Sequence, residues 1–295
     1  MQAKPYITGA PDESRIIRAA AALGVVGGCD ATPTRMLGLL CDPQVEPRQV
    51  SELIRRQPAL CARVLRVANS PYYGQSRAVR TLERAFLVLG IDAVRGIAAA
   101  ACLDRTAQVC KTRGILDLDA LLDHFVAVAA AAEQLARLLR SPATPETFIA
   151  GLMHDFGFLI LLSLNPDAVA AMVSDWRLQP TAALHELEAR HIGLSHARCA
   201  AVAFESWALP PSLIAAAMHH HDPMGALPQF RALTALVNLG ESLAMAAGFN
   251  GVFERTGQAA DADAMRELGI DEEQLATAAA GLADRVRAFR GAMAD

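Results

Sequence analysis

Residues 62–74 read Ala-Arg-Val-Leu-Arg-Val-Ala-Asn-Ser-Pro-Tyr-Tyr-Gly. The first seven residues predict a helix whose inner face carries Leu65 and Ala68. This helix is predicted to end at Asn69, because Pro71 cannot continue it and an Asn side chain can bond backbone groups left free at a helix end. A helix, an abrupt end and an aromatic turn in one short stretch form the most specific pattern in the chain.

The aromatic residues near helix ends are interpreted as packing residues. Tyr72 and Tyr73 are expected to seal the joint between the N-terminal helices and the rest of the protein. Trp207 is expected to pack with Pro210 in the second half of the chain. Folding roles are favoured over ligand contacts because large aromatic side chains are mostly buried.

The composition predicts a globular protein made of helices. The chain has 295 residues, of which 53% are hydrophobic and 20% charged, enough for a sizeable core. Alanine dominates the apolar residues, whereas aromatic residues make up only 5%. The six cysteines include no Cys-x-x-Cys pair and are expected to be reduced. The net charge of -4 does not favour binding to nucleic acid or an anionic membrane.

The location of the protein is predicted from segments that the sequence lacks. The first fifteen residues have no apolar core of the kind found in signal peptides. Charged residues interrupt the alanine-rich runs before they reach the roughly 20 apolar residues of a membrane span. We therefore expect a cytoplasmic protein without a membrane segment.

The helical pattern predicts an all-α protein with four parts. These are an N-terminal leader and helix (1–29), a helical bundle (30–110), a second helical domain (115–250) and a C-terminal helical tail (251–295). The polar stretch 107–118 is the candidate boundary between the two larger parts. The tail is interpreted either as a dimerisation or docking element, which would make the protein a homodimer, or as a brace on the core.

The sequence also predicts the bounds of individual elements. A long helix is expected over 119–140, followed by one continuous helix over 146–162. The tail is expected to form about two helices. Thr81 and Gly90 are expected to begin and end a helix in the N-terminal bundle.

The N-terminal bundle carries an excess of arginine. Residues 48–95 contain nine arginines and three acidic residues. Arg63 and Arg66 are three residues apart and share a helix face, which could bind phosphate groups of a nucleotide. The simpler interpretation is a solvated helix surface.

Six residues of the second half form a candidate metal site. Imidazoles and carboxylates are the ligands that divalent metals bind on helical scaffolds. Adjacent side chains on a helix project ~100° apart, so a neighbouring His and Asp can face one cavity. Of the three consecutive histidines at 219–221, at most two can be ligands, and His185 and His219 are assigned to the surface. The candidate ligands are His124, His154, Asp155, His196, His220 and His221.

Each of these residues also has a structural interpretation, which the sequence leaves open. His154 and Asp155 could form a buried pair that closes a contact between helices. His124 could be partly exposed beside Asp123. His196 could bond within the first turn of its own helix.

The Asn-Ser-Pro stretch, the His154–Asp155 pair and the segment 188–223 together resemble the HDOD family of bacterial signalling domains, relatives of the HD phosphohydrolases. The resemblance covers roughly residues 30–247. It implies a regulatory role in signal transduction, acting through binding of signalling proteins or a nucleotide rather than through turnover. Neither a membrane nor a nucleic acid is an expected partner.

The resemblance also implies a second possibility, a metal-dependent phosphohydrolase acting on a nucleotide or cyclic dinucleotide. HD enzymes hold a divalent ion with a His, a His-Asp pair and a distal Asp, and HD-GYP phosphodiesterases complete a two-metal site with further histidines. The metal would be Fe, Mn or Zn, and metal-activated water would attack the phosphoester. The first set of ligands would be His124, His154, Asp155 and Glu241, and the second His196, His220 and His221.

Three departures from the enzyme pattern favour the regulatory role. Glu241 stands where catalytic members place Asp, so its carboxylate oxygens are shifted by about one bond length, whereas metal sites tolerate only ~0.2 Å. Phe158 follows Gly157 where HD enzymes usually carry a lysine. The Gly-Tyr-Pro loop is missing after His221. We therefore expect Asp155 to be catalytic only if the enzyme interpretation holds.

DNA binding by the Arg-rich bundle is the least favoured class, because no helix-turn-helix is evident.

Overall fold

The computed structural model describes residues 13–26, 39–40, 45–70, 78–111, 114–179, 182–253 and 260–293. Within these ranges the secondary structure is helical and contains no strand. The all-α prediction is therefore confirmed. The predicted roles of Tyr72 and Tyr73 fall outside the described residues.

The first half contains five described helices, and their starts follow the sequence signals. Pro47 and Pro58 occupy the first turns of α2 (Pro47–Arg55) and α3 (Pro58–Ala68), where a missing N–H costs nothing. The Thr81 side chain accepts a hydrogen bond from Arg84 N and caps α4 (Leu82–Leu89), which ends at Gly90 with a φ of 81°. The helices are α1 (Glu13–Val26), α2 (Pro47–Arg55), α3 (Pro58–Ala68), α4 (Leu82–Leu89) and α5 (Ile91–Lys111).

The second half builds the core and carries the candidate site. Its elements are α6 (Leu118–Leu138), α7 (Thr144–Met153), α8 (Phe156–Leu164), α9 (Pro166–Leu178), α10 (Leu184–His191), α11 (His196–Ser206), α12 (Pro211–His219), a 3₁₀ turn η1 (Pro223–Gly225) and α13 (Pro228–Ala246). Beyond α13, the described tail forms three helices rather than about two. They are α14 (Ala262–Leu268), α15 (Glu272–Ala279) and α16 (Leu282–Met293).

Helix α6 is the centre of the core, and α7, α13 and α16 pack around it. Two glycines let neighbouring backbones come close to it. A Cβ at Gly151 on α7 would lie 2.8 Å from Ala129 Cα, and a Cβ at Gly240 on α13 would lie 2.9 Å from Ala132 N. The small residues of α6 therefore give a close-packed centre in which side chains of three helices reach one region.

The predicted helix end at Asn69 is confirmed, and its side chain does more than cap the helix. Asn69 Nδ2 donates to Leu65 O at 2.7 Å and to Val79 O at 2.8 Å, while Val79 N donates to Asn69 Oδ1 at 2.7 Å. The amide thus ties the end of α3 to the backbone just before α4. On α3 itself Ala68 is buried as expected, whereas Leu65 is only partly buried.

Both termini of the described chain pack on the core. Helix α1 contacts α11 and α8, and α16 contacts α6 and α3. Arg290 Nε donates to Asp123 Oδ1 at 2.7 Å, and Arg66 Nε donates to Ala292 O at 3.2 Å. The described tail therefore packs against both halves, as the brace interpretation expects. The domain boundaries remain a prediction, although α5 continues to Lys111 and so occupies the start of the proposed 107–118 boundary.

One segment in the described chain, Glu146–Leu164, is long and apolar enough to cross a membrane by length and composition, with a mean hydropathy of 1.7. It consists of α7, the turn at 154–155 and α8. Since 89% of it is buried inside the protein, it has the character of a core segment.

Candidate metal centre

The turn between α7 and α8 carries His154 and Asp155. The sequence predicted one continuous helix over 146–162, but the structure interrupts it at these two residues, so this prediction is wrong. Asp155 has φ -101° and ψ 15°, close to the sparsely populated bridge region where active-site residues often lie. Because of this turn, the direction of Asp155 is set by a local break rather than by helical spacing.

The first cluster, here called the inner group, consists of His124, His154 and Asp155. All three are buried. His154 Nε2 lies 3.3 Å from Asp155 Oδ2, and His124 Nε2 lies 3.8 Å from the same oxygen. Helix α6 and the α7–α8 turn thus bring together residues that are about thirty positions apart.

The second cluster, the outer group, consists of Asp155, His196, His220 and His221. Asp155 Oδ1 lies 3.1 Å from His196 Nε2 and 3.2 Å from His220 Nε2. His221 Nε2 lies 3.2 Å from His196 Nε2, and the His221 side chain is 51% exposed. Asp155 therefore belongs to both groups, with one oxygen directed to each.

Hydrogen bonds to backbone carbonyls determine which nitrogen of three imidazoles carries the proton. A carbonyl only accepts, so the bonded Nδ1 is the protonated nitrogen and Nε2 has a free lone pair. In each case that lone pair lies on the side of Asp155. The bonds join His124 Nδ1 to Phe249 O (2.7 Å), His154 Nδ1 to Gly151 O (2.7 Å) and His220 Nδ1 to Ala217 O (2.9 Å).

This arrangement fits a divalent metal. His196 Nε2 and His220 Nε2 lie 3.3 Å apart, and His220, with its proton on Nδ1, presents the lone pair of Nε2 at this contact. His154 Nε2 and Asp155 Oδ1 are buried without a hydrogen-bond partner. Within each group the potential ligand atoms lie within 4.8 Å of one another. A bound cation would satisfy all these lone pairs, and the nitrogen and oxygen ligands suit Zn, Fe or Mn.

Burial and neighbouring charges shift the pKa values of the cluster. Burial lowers the pKa of His124 to about 4, and the neighbouring His154 contributes. Burial acts to raise the pKa of Asp155, but the charges of His154 and His196 outweigh it and hold the pKa well below its usual value. Asp155 is thus held as the carboxylate that a metal requires.

Glu241 reaches the edge of the cluster from α13. Its side chain is 13% exposed, and its Oε2 lies 3.6 Å from His221 Nδ1. A carboxylate oxygen of Glu241 can also converge with one nitrogen each of His154 and His220. Burial raises the pKa of Glu241 to about 7. The longer side chain therefore still reaches the ligands, although the sequence left its fit in doubt.

Phe158 forms an apolar wall beside the outer group. Its ring stacks on His196 with centroids 4.2 Å apart and an interplanar angle of 18°, and it contacts Phe253 at 5.0 Å. The position where HD enzymes usually carry a lysine is thus filled by a buried aromatic ring.

Sequence reasoning missed Glu188 as a functional candidate. This residue of α10 is 1% exposed, and its Oε1 accepts hydrogen bonds from both His196 N (2.9 Å) and His196 Nδ1 (2.6 Å). Burial acts to lower the pKa of His196, but the charges of Glu188 and Asp155 raise it well above its usual value. The available signal was a glutamate next to Leu187 on the inner side of an otherwise polar helix, eight positions before His196.

The cluster borders an open cavity of about 620 Å³. A smaller space of about 50 Å³ continues from it past His124 and Asp155. The walls of the larger cavity come from the starts of α10 and α11, from α13 and from Phe253. The strap at 249–253 lines the smaller space through residues 250–253. The side chains that matter for a ligand are His221, Glu241, Asn238, Ser242, His185 and Phe253.

The remaining sequence candidates lie elsewhere. His185 is exposed at the cavity rim, and His219 is partly buried outside the two groups. Arg63 and Arg66 line neither of these spaces, and Arg66 contacts α16 through Ala292 O. The structure therefore brings together His124, His154, Asp155, His196, His220, His221 and Glu241, but not the arginine pair.

Comparisons with solved structures agree with this fold. An HDOD domain protein from Geobacter sulfurreducens is 21% identical with a TM-score of 0.71, covering 95% of this chain and 98% of that one. A proposed signal transduction protein from Marinobacter aquaeolei VT8 is 22% identical with a TM-score of 0.73, covering 98% of this chain and 63% of that one. A proposed phosphohydrolase from Shewanella amazonensis SB2B is 24% identical with a TM-score of 0.67, covering 94% of this chain and 98% of that one.

At these identities the structural likeness speaks for the fold alone. A search of curated proteins gives no match. The family comparison is more direct, since the model of the HDOD domain matches residues 30–223, which include the Asn-Ser-Pro helix end, the His154–Asp155 turn and the paired histidines. The chain belongs to the HDOD domain family.

Proposed function

We propose that this protein is a regulatory component of bacterial signal transduction that binds divalent metal at its HD-like site and a phosphate-bearing ligand, such as a nucleotide, in the adjoining cavity. The observation that carries the proposal is the convergence of five imidazoles on the two oxygens of Asp155, with three of their tautomers set by backbone carbonyls. A signalling protein would then respond to the occupied state.

Charge supports a phosphate-bearing ligand. Two divalent ions would bring four positive charges, against the single negative charges of Asp155, Glu241 and Glu188 when all three are ionised. Two further carboxylates line the cavity, Asp222 and Asp261, and both accept hydrogen bonds from backbone N–H groups at the starts of η1 and α14. A loaded centre would therefore be net positive at the end of a cavity large enough for a nucleotide. Among the described lining residues there is no lysine or arginine, so the metal centre would be the source of that attraction.

The residues around the metal site favour ligand binding over catalytic turnover. Phosphoryl transfer depends on positive groups that stabilise charge developing on the phosphate oxygens. Phe158 occupies the position of one such group and is buried against His196. It cannot supply that charge.

Hydrolysis is the second candidate, and the position of His221 favours it. This half-exposed imidazole belongs to the outer group and also lines the cavity, so a ligand in the cavity would lie directly beside the ligands of an ion. A bound divalent ion would supply a Lewis acid there. His221 would bind that ion, Glu241 in its protonated form would donate a hydrogen bond to the phosphate group, and Phe158 and Phe253 would limit access of bulk water.

Metal content and nucleotide binding test the proposal together. Untagged protein purified without chelator would be analysed by inductively coupled plasma mass spectrometry, and binding to a panel of nucleotides by calorimetry with and without metal. We expect one or two equivalents of Fe, Mn or Zn in the wild type, none in Asp155→Ala, and nucleotide binding only in the loaded form. His185→Ala, at the cavity rim, is the matched control and should keep its metal.

The outcomes separate the candidates. Binding without phosphate release supports the regulatory role, and metal-dependent phosphate release that Asp155→Ala abolishes supports the hydrolase. A metal-free wild type that is folded would overturn both.

A further inference from the structure

Glu188 is a buried carboxylate whose position needs an explanation. Leu187 and Glu188 are the buried residues of α10, whose other side chains are partly or fully exposed. Placing a charged carboxylate inside a protein is unfavourable unless hydrogen bonds or opposite charges compensate. The side chain must therefore interact strongly with its neighbours, and among the described residues its hydrogen bonds go to a single residue.

That partner is His196, which it contacts at two points. Glu188 Oε1 accepts from the backbone N–H of His196 at 2.9 Å and from its ring Nδ1–H at 2.6 Å. The first bond lies at the start of α11, where free N–H groups favour a negative charge. The backbone carbonyl of Glu188 also accepts from Ile192 N and Gly193 N, which folds α10 back towards α11. One residue thus fixes both the helix start and the ring.

One face of the same imidazole ring is also held in place. Phe158 stacks on it at 4.2 Å, which defines the plane of the imidazole. With Nδ1–H bonded to Glu188, Nε2 is the nitrogen directed at Asp155 Oδ1, 3.1 Å away. His196 therefore has its rotamer, its plane and the nitrogen that faces the cluster determined before any ion arrives.

We propose that Glu188 is the positioning residue of the outer group, acting on a bound divalent metal through His196. This inference rests on the metal binding proposed above. A carboxylate bonded to the distal nitrogen of a ligating histidine sets its tautomer and increases its basicity. His124, His154 and His220 have neutral backbone carbonyls at that nitrogen instead. Glu188 is thus the source of a full negative charge behind one ligand of the outer group.

If Glu188 positions His196, metal affinity should depend on the charge of Glu188 as well as on its hydrogen bonds. Glu188→Gln keeps an oxygen that can accept both bonds but removes the charge. Glu188→Ala removes both. We expect Glu188→Gln to weaken binding by the outer group by about tenfold to a hundredfold, and Glu188→Ala to weaken it further, while the inner group retains its affinity.

A second histidine–carboxylate pair, between His191 on α10 and Asp175 on α9, provides the control. His191 Nε2 lies 2.8 Å from Asp175 Oδ2, and neither residue belongs to the metal-ligand clusters. Asp175→Asn changes this pair in the same chemical way and should leave metal affinity unchanged. It therefore separates a general effect of weakening α10 from an effect on His196.

The experiment measures metal dissociation constants by chelator competition, and the visible absorption spectrum of the Co²⁺-loaded protein, for the wild type and the three variants. The expected result is weaker binding and a changed Co²⁺ spectrum in both Glu188 variants but not in Asp175→Asn. Unchanged dissociation constants in Glu188→Gln, with or without a lower melting temperature, would assign Glu188 to folding and overturn the inference while the proposed metal binding stands. A wild type that binds no metal would overturn both.

Discussion

Gly157 lies directly against the backbone carbonyl of His196, so closely that no Cβ fits between them. This contact joins the start of α8 to the start of α11. Asp155 lies two residues before Gly157, so the same contact sets the separation between Asp155 and His196. The close backbone contact between Gly157 and His196 thus determines how the inner and outer groups are placed relative to each other.

Gly157→Ala should disturb this contact. The added methyl group would push α8 away from α11, and because Asp155 and His196 would separate, metal content should fall. Overpacking of this kind costs about 1–3 kcal/mol, which chemical denaturation would measure. Gly291→Ala is the matched control, since Gly291 lies on α16 with open space around it. That change should stabilise the protein by roughly 0.5–1 kcal/mol. Normal metal content in folded Gly157→Ala would contradict the prediction.

The two groups should differ in how they hold their ions. The inner group is buried, whereas the outer group includes the half-exposed His221, whose Nδ1 lies 3.6 Å from Glu241 rather than in a short bond. His221→Ala should therefore lose the ion of the outer group and keep that of the inner group, and Asp155→Ala should bind none, because Asp155 serves both groups. Mass spectrometry of dialysed protein would measure this. Loss of both ions in His221→Ala would show that the groups load as one unit.

The strap at 249–253 should support His124. Phe249 O accepts from His124 Nδ1, and a Cβ at Gly251 would lie 3.3 Å from the His124 ring. Gly251→Ala should therefore displace the strap and weaken metal binding by the inner group, with a readout by chelator competition. Gly251 has a φ of 68° and Gly269 a φ of 62°, but a Cβ at Gly269 meets nothing within 4 Å. Gly269→Ala carries the same backbone strain and should leave the affinity unchanged, so equal effects of the two changes would refute a role for the contact.

The C-terminal helix should contribute directly to stability. Leu282 on α16 is 1% exposed, whereas Leu178 at the end of α9 is 77% exposed. Leu282→Ala should lower the free energy of unfolding by about 2–5 kcal/mol, because it removes buried apolar surface and leaves a cavity. Leu178→Ala should change it by less than about 0.5 kcal/mol. Urea denaturation would compare them, and a small effect at Leu282 would argue that the tail is an interaction element rather than a brace.

Local signals in the sequence were sufficient for several helix starts and ends and for naming the candidate ligands. Proline at helix starts, Thr81 as a cap and glycine at helix ends act within a few residues, so they can be interpreted without tertiary contacts. The type and order of the histidines were likewise visible, because the ability to bind a metal belongs to the side chain itself. The all-α fold and the family followed from these features.

Tertiary packing decided what the local pattern could not. The sequence predicted an uninterrupted helix through His154 and Asp155, since both residues and their apolar neighbours suit a helix. The structure breaks the helix there and directs Asp155 to both groups. In the same way, Glu188 has the local character of a surface residue on a polar helix. It becomes a partner of His196 only because the turn at 192–195 folds α10 back against α11, and no periodicity along the chain encodes such a contact.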